Sequence, residues 1–280
     1  MAAVSVWDVW PVTMGKSLFK LTSLNLNGIR SAATKGVEAW IAQNNPDCIC
    51  VQEVKAQAPD VAGKFETLAG LKGHFHFAEK KGYSGVAVYS KQEPSDVVVG
   101  MGSAEFDAEG RFVELRFDTA KRKFSIISTY FPSGSSGPER QEAKFRFLDH
   151  MGPHLKTLGA QREFIVCSDV NIAHQQADLK NWKGNLKNSG FLPEERAWMT
   201  HMTTEGPLVD VYRRLHPETT DECYTWWSNR GQAYAKNVGW RLDYQLATSA
   251  LAAGAKKAEI YKDTRFSDHA PLTIDYEWTF

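Results

Sequence analysis

Nowhere in the 280-residue sequence do roughly 18 apolar residues run together, the length a membrane-spanning helix needs, so no span is expected. Cysteine is scarce. Cys48, Cys50, Cys167 and Cys223 lie mostly inside apolar runs, and no pair has C-x-x-C spacing, which argues against a zinc site and a disulfide framework and suits a reducing cytoplasm. Charge of one sign is not in excess either: 33 Lys and Arg balance 33 Asp and Glu, against a protein that coats nucleic acid indiscriminately. Residues 1–16 lack an early basic cluster and a long apolar core and contain Trp7, Asp8 and Trp10, so a loosely ordered extension is expected there rather than a signal peptide. Internal repeats and low-complexity segments are absent too.

Hydrophobic residues make up 42% of the chain, enough to bury a large core as one big domain or two small ones. The residues able to do chemistry fall where apolar runs end. Ile165-Val166-Cys167 reads as a short, fully buried strand, with Asp169 and Asn171 leaving it on the same side of an extended backbone. An isolated D-x-N is also what a strand-capping turn contains, so chemistry there must rest on partners elsewhere. Leu18 to Asn27 alternates as a strand and ends at Asn25, Asn27 and Gly28, the glycine permitting a sharp exit. Cys48 to Gln52 is almost wholly apolar until Glu53. Phe112 to Phe117 and Phe124 to Thr129 form a hairpin pattern, and the second run ends at Tyr130. Arg241 to Leu246 is expected to be a strand, and Ser267-Asp268-His269 precedes a last one, Leu272 to Tyr276.

Helices are expected over Thr34–Gln43, Pro59–Leu68 and approximately Glu139–Leu158, the last kinked or split at Pro153. Pro193 opens a further helix carrying Glu194, Glu195, Trp198 and Met202. Asp178 to Gly190, with Lys180, Lys183 and Lys187, reads as an exposed loop able to touch a ligand. From Tyr224 to Leu242 there is no acidic residue, while Arg230, Lys236 and Arg241 interleave with Trp226, Trp227, Tyr234 and Trp240, a segment suited to face phosphates. Strands outnumber helices, and hairpins mix with crossovers. A layered α+β or α/β sandwich follows.

Collected, the strand-end groups are Asn25, Asn27, Glu53, Tyr130, Asp169, Asn171, Asp243, Asp268 and His269. The motifs containing them are N-x-N-G-I-R from Asn25, Q-E-x-K from Gln52, Y-F-P-x-G from Tyr130, D-x-N-x-A-H from Asp169, N-V-G-W-R-L-D-Y from Asn237 and S-D-H-x-P from Ser267. With these, the chain resembles the exonuclease III type of abasic-site endonuclease, within the endonuclease/exonuclease/phosphatase superfamily, from about Leu18 to the C-terminus. The resemblance implies one catalytic domain over 17–280 and an α+β fold, a four-layer αββα sandwich of two mixed sheets packed face to face with helices outside. It also implies a monomeric hydrolase dependent on magnesium, or on manganese in its place, and acting on double-stranded DNA that carries abasic sites or blocked 3′ ends. Incision would fall 5′ to the abasic site, with 3′-phosphatase, 3′-phosphodiesterase and 3′-5′ exonuclease activities as companions.

Phosphodiester hydrolysis needs an activated water in line with the leaving oxygen and stabilisation of charge on the phosphoryl oxygens, which suits a hard divalent cation held by oxygen ligands. By resemblance, Glu53 anchors the metal and Asn27 and Asp268 complete or orient its ligands. Asp169 positions and deprotonates the water, with Asn171 beside it. His269 donates to a non-bridging oxygen, Asp243 fixes its tautomer, and Tyr130 and Asn25 add hydrogen bonds. Whether His269 or a hydroxide at the cation shares the base's work stays open. Trp226, Trp240 and Leu242 align with the family's pocket for an extruded sugar without a base, with plain core residues as the alternative. Arg30, Lys236, Asn237 and Arg241 are expected to hold substrate, and His174 is expected to be structural. Ser168 stands where glycine is common, and Asn27 where some members have aspartate. Two readings compete with incision: a 3′-end-processing phosphatase and exonuclease that cuts abasic sites weakly, and a catalytically silent DNA-lesion-binding module.

Overall fold

Alternation of apolar side chains along short strands builds the molecule, which a computed structural model describes over residues 18–277. The expected extension over residues 1–16 lies outside them, as do residue 17 and residues 278–280 of the expected domain. In chain order the strands are β1 (Leu18–Asn25), β2 (Cys48–Gln52), β3 (Thr67–Leu68), β4 (Leu71–His76), β5 (Val86–Ser90), β6 (Asp96–Val99), β7 (Phe112–Arg116), β8 (Phe124–Tyr130), β9 (Glu163–Asp169), β10 (Leu208–Asp210), β11 (Trp226–Trp227), β12 (Gly239–Trp240), β13 (Asp243–Thr248), β14 (Ala255–Ile260) and β15 (Leu272–Glu277). One sheet runs β14-β15-β1-β2-β5-β4-β3, the other β10-β13-β9-β8-β7-β6, and β11 pairs with β12 as a separate ribbon. Both large sheets are mixed, because β1 lies parallel to β2 and β8 parallel to β9 while the remaining neighbours are antiparallel.

Side chains two apart share a face, and that rule sorts the core. Leu21, Cys48, Cys50, Val88, Ile126, Ile165, Cys167 and Ala247 fill the space between the sheets. Their sequence neighbours Leu24, Ile49, Val51 and Tyr89 point outward, onto a layer that includes Ile29 and Ala32 of helix Ile29–Thr34 and Val37 and Ile41 of helix Val37–Asn44. On the other side Ile127, Val166 and Leu246 meet Phe147, Met151 and Leu155 of helix Pro138–Gly159 and Met199 of helix Pro193–Thr200. Each Val, Leu, Ile, Phe or Met among them contributes roughly 1.5–3 kcal/mol when taken from water. The result is helix, sheet, sheet, helix: the expected four-layer α+β sandwich. Among the described residues no helix is long and apolar enough to cross a membrane.

The same alternation, followed to the strand ends, aims Asn25, Tyr130, Asp169 and Asp243 into the inter-sheet space at one end of the sandwich. Asp169 is paired directly with both Tyr130 and Asp243, and Asn25 with Gln52. Register, not proximity in sequence, therefore gathers the polar groups.

Several expected elements differ in detail. The helix expected over Thr34–Gln43 is broken by Gly36, whose φ of 83° ends one short helix and begins the next. Pro59–Leu68 holds one helical turn, Ala58–Val61, before Thr67 and Leu68 pair with β4. Helix Pro138–Gly159 runs unbroken through Pro153. The stretch read as an exposed loop starts from the fully buried Asp178 and Leu179. Met202 lies just past the helix expected to carry it, in a wider turn over His201–Glu205.

Candidate active site

Asn25 stands at the centre. Its Nδ2 donates to Oε1 of Glu53 and to Oδ2 of Asp169, each at 2.9 Å, tying the end of one sheet to the end of the other. Its Oδ1 accepts the Asn27 N–H at 2.9 Å. Asp169 is held through its second oxygen as well, Oδ1 accepting from Asn171 N at 2.9 Å. Asp243 Oδ2 lies 2.8 Å from Nδ1 of His269, and the opposite ring nitrogen, Nε2, faces Asp169 Oδ2 at 3.6 Å, a charge contact beyond hydrogen-bond range. Asn171 Nδ2 donates to the Phe131 carbonyl at 3.0 Å, and Arg111 lies 4.9 Å over the Tyr130 ring while donating to the Tyr130 carbonyl.

The backbone bends sharply here. Asn27, Glu53, Lys55 and Asn171 all have φ between 45° and 55°. This left-handed region costs a residue with a Cβ of order 1 kcal/mol or more, and such strain gathers at functional sites. It also corrects the extended geometry expected after β9: Asn171 turns left-handed, and that turn brings its amide N–H back onto Asp169.

Burial raises the Asp169 carboxyl to about 7, with Asp243 and Glu53 adding to the shift while His269 and the Asn25 amide oppose it. Burial alone would lower His269, but the Asp243 and Asp169 carboxylates outweigh it and raise the imidazole to about 10. Tyr130 is pushed well above its ordinary value by burial and by the Glu53 and Asp169 charges, so it stays a neutral donor. Burial works against ionisation of Asp268, yet His269, Trp226 and Asn27 together hold it below the ordinary carboxylate value.

Glu53, Asp169 and His269 bring ligand atoms within 4.8 Å of one another. Two of the three are carboxylates, hard oxygen donors that fit a magnesium-like ion. Asn27 and Asp268 connect to Glu53 through Lys55. Asn27 Nδ2 donates to Asp268 Oδ1 at 2.9 Å, Trp226 Nε1 donates to Asp268 Oδ2 at 3.1 Å, and Lys55 joins Glu53 Oε2 at 2.6 Å to Asn27 Oδ1.

A cleft of about 680 Å³ opens beside these groups, lined by Glu53, Tyr130, Asp169, Asn171, Asp268 and His269 together with Trp226, Trp240 and Leu242. Trp226 and Trp240 face each other across β11 and β12, ring centres 6.4 Å apart and nearly perpendicular. The sequence thus brought the polar and the aromatic candidates to one place.

The basic candidates did not converge there. Arg241 is 1% exposed and cannot reach a phosphate. Its guanidinium is held on both sides by Asp178 (2.8 and 3.1 Å) and Asp210 (2.7 and 3.1 Å), a correction to its expected role in substrate binding. Asn237 braces the fold instead, accepting from Trp227 Nε1 at 3.1 Å and donating to the Asp221 carbonyl at 2.8 Å. Arg30 and Lys236 are exposed outside the cleft, Arg30 paired with Asp60 at 3.2 Å. His174 is buried against Thr200 at 2.8 Å.

Other cleft residues were not singled out, although Asn185, Asn188 and Ser189 fall in the stretch expected to touch a ligand. Ser133, Gln141, Asn185, Asn188 and Ser189 line it, and Lys144 supports it from below. Lys144 carried a signal: it is the one basic residue on the apolar stripe of Phe147, Leu148, Met151 and Leu155.

Residues 22–269 match the model of the endonuclease/exonuclease/phosphatase family. The chain is 37% identical over 262 residues to the DNA repair nuclease APEX1 of Danio rerio, covering 91% of this chain and 81% of that one. It is 36% identical over 256 residues to an exodeoxyribonuclease of Bacillus subtilis (strain 168), covering 91% and 98%. An AP endonuclease structure from Archaeoglobus fulgidus superposes with a TM-score of 0.80 and 28% identity over 92% of this chain and 99% of that one.

Proposed function

The chain belongs to the endonuclease/exonuclease/phosphatase family, and from that premise we propose that it is a DNA-repair hydrolase that incises the backbone 5′ to an abasic site in double-stranded DNA. One observation carries the reading: the Asp243, His269 and Asp169 series opens onto a cleft whose wall is Trp226, Trp240 and Leu242. The first group of residues suits a phosphate under attack, and the second suits a sugar that has lost its base and turned out of the helix. The DNA-repair and exodeoxyribonuclease names of its relatives support the same substrate class.

Asp169 takes the proton from the attacking water. Asn25 and Asn171 hold one carboxylate oxygen each, fixing its direction, and a proton affinity near neutrality suits a general base. His269 is held in its charged form by Asp243 and has no lone pair for that task; it donates instead, through Nε2, to a non-bridging phosphate oxygen. Tyr130, neutral and buried, adds a second donor. Glu53 would hold a magnesium ion, or manganese in its place, with Asn27 and Asp268 orienting its surroundings. When bound, the ion supplies positive charge to the phosphoryl oxygens. Arg30 and Lys236 would follow the backbone phosphates further out. Four buried free thiols suit a reducing cytoplasm, and one chain carries a whole site, so a monomer suffices.

Removal of 3′-phosphates and other 3′ blocks would use the same phosphate-holding groups. A duplex with one internal abasic analogue, run beside a nicked duplex bearing a 3′-phosphate, tests the reading. Magnesium-dependent cutting of the first is expected; clearing of the second with the first left intact would replace incision by end processing as the main activity. Lesion binding without turnover of either would make the protein a binding module.

A further inference from the structure

Beneath the cleft lies a buried ion pair that the chemistry above does not use. Lys144 is fully buried, and its Nζ sits 2.6 Å from Oε1 of the equally buried Glu195. The same ammonium donates to the Asn171 carbonyl at 2.7 Å. Glu195 Oε1 also accepts from Gln141 Nε2 at 3.1 Å, while Oε2 accepts two backbone N–H groups, those of Gly190 at 2.7 Å and Leu192 at 3.0 Å. A buried pair of this kind gives little net stability over apolar residues of the same volume, so stability alone does not account for it.

Each attachment of the pair is part of the cleft. Asn171 and Gln141 line it, and so does the segment from Asn185 through Asn188, Ser189 and Gly190 to Leu192. Gly190, with φ of +92°, passes so close to its neighbours that a Cβ there would lie 3.1 Å from the Asn171 carbonyl and 3.2 Å from the Trp240 ring. The Gly190 carbonyl in turn accepts from Ala173 N at 2.8 Å. The segment is wedged between the end of the catalytic strand and an aromatic wall and held from behind by one carboxylate.

We propose that Lys144 and Glu195 are positioning residues that clamp segment Asn185–Leu192 against Asn171 and Trp240, and that this clamp sets the cleft's substrate choice in favour of an internal baseless sugar over a terminal phosphate. The inference rests on the abasic-site reading above. A sugar turned into the cleft needs its wall in place, whereas a 3′-phosphate needs mainly the groups around Asp169 and His269. Glu195→Gln separates the two demands. The amide has nearly the shape of the carboxylate, but its NH2 must face donors whichever way it turns. With its oxygen kept on Lys144, the NH2 opposes the Gly190 and Leu192 N–H groups and frees the segment.

The test measures kcat and KM for Glu195→Gln and the unaltered full chain on a duplex with an internal tetrahydrofuran abasic analogue and on a nicked duplex with a 3′-phosphate, with hydrogen exchange read at the Gly190 and Leu192 amides. Because small misplacements of a substrate-holding wall act steeply on rate, kcat/KM for the abasic duplex is expected to fall about tenfold or more, while 3′-phosphate removal stays within about threefold. The two amides are expected to exchange at least about tenfold faster. Equal losses on both substrates, an unchanged ratio, or unchanged exchange would overturn the clamp. Lys144→Met, which strands the carboxylate, is expected to shift the ratio the same way with a lower melting temperature; a lower melting temperature with the ratio unmoved would reduce the pair to a structural role. Should the unaltered protein cut neither duplex, the abasic-site reading fails, and exchange at Gly190 and Leu192 still decides whether the clamp exists.

Discussion

Arg241 and Asp243 are two residues apart, equally buried, and belong to opposite kinds of charge cluster. Around Arg241, two carboxylates from distant segments meet one guanidinium in paired hydrogen bonds, and Arg213 adds a further contact to Asp178. Around Asp243 the satisfaction is incomplete: its Oδ1 has no partner, and the imidazole it holds faces Asp169 across a gap too long for a hydrogen bond. Both clusters exist at the cost of desolvated charge. The Arg241 cluster is closed off inside the fold, while the Asp243 series reaches the cleft through His269 and Asp169, and buried charge is a site candidate where it opens onto a cleft.

The contrast breaks first at its reactive end. Asp169→Asn should lower incision about 1,000-fold or more in single-turnover assays and leave binding to the lesion duplex within about threefold. Near-normal cutting would remove Asp169 from the base's role. At the structural end, Arg241→Met takes the shared guanidinium from Asp178 and Asp210, leaving Asp178 its contact with Arg213, and should cost about 3–5 kcal/mol in urea unfolding. The salt dependence of DNA binding should not change, since a buried guanidinium neutralises no phosphate; a slope reduced by about one would return Arg241 to the DNA surface.

How far these roles can be read in the sequence follows the same division. The strand-end groups were legible because a two-residue period carries from the core straight to Asn25, Asp169 and Asp243, and the motifs around them are dense. Arg241 was not: it sits in a basic, aromatic stretch, and its partners Asp178 and Asp210 lie 63 and 31 residues away, a pairing that only the fold creates. Lys144 announced itself as a charge on an apolar stripe, yet its partner Glu195 is 51 residues on. Gly36 was legible as a glycine but not as a helix break, because the apolar period continues across it. The left-handed turn at Asn171 left no mark beyond asparagine's tolerance for that conformation.

Acid sharpens the comparison. Burial opposes ionisation of Asp178, yet Arg241 and Arg213 hold its carboxyl down at about 2. Its folded value lies below the unfolded value of about 3.9, so its share of stability is complete above that and is lost as pH falls toward 2, a share of roughly 3 kcal/mol. Unfolding free energy measured against pH should therefore fall in this window for the native chain and less steeply for Asp178→Asn; parallel curves would deny the pairing. The smallest effect is expected at the aromatic wall. Trp240→Ala should reduce the preference for an abasic site over a base-bearing nucleotide about tenfold, read as a ratio of kcat/KM values, because lost apolar contact discriminates only modestly. An unchanged ratio would make Trp240 a core residue.

The central claim is that His269 is a fixed positive charge facing Asp169, a donor and not a base. Nitrogen-15 NMR of the His269 ring across a pH titration of the metal-free protein reads that charge directly. Both ring nitrogens should remain protonated through neutral pH, with loss of a proton only near 10. A His269 already neutral at physiological pH would contradict the assignment and hand the proton-accepting role back to the imidazole.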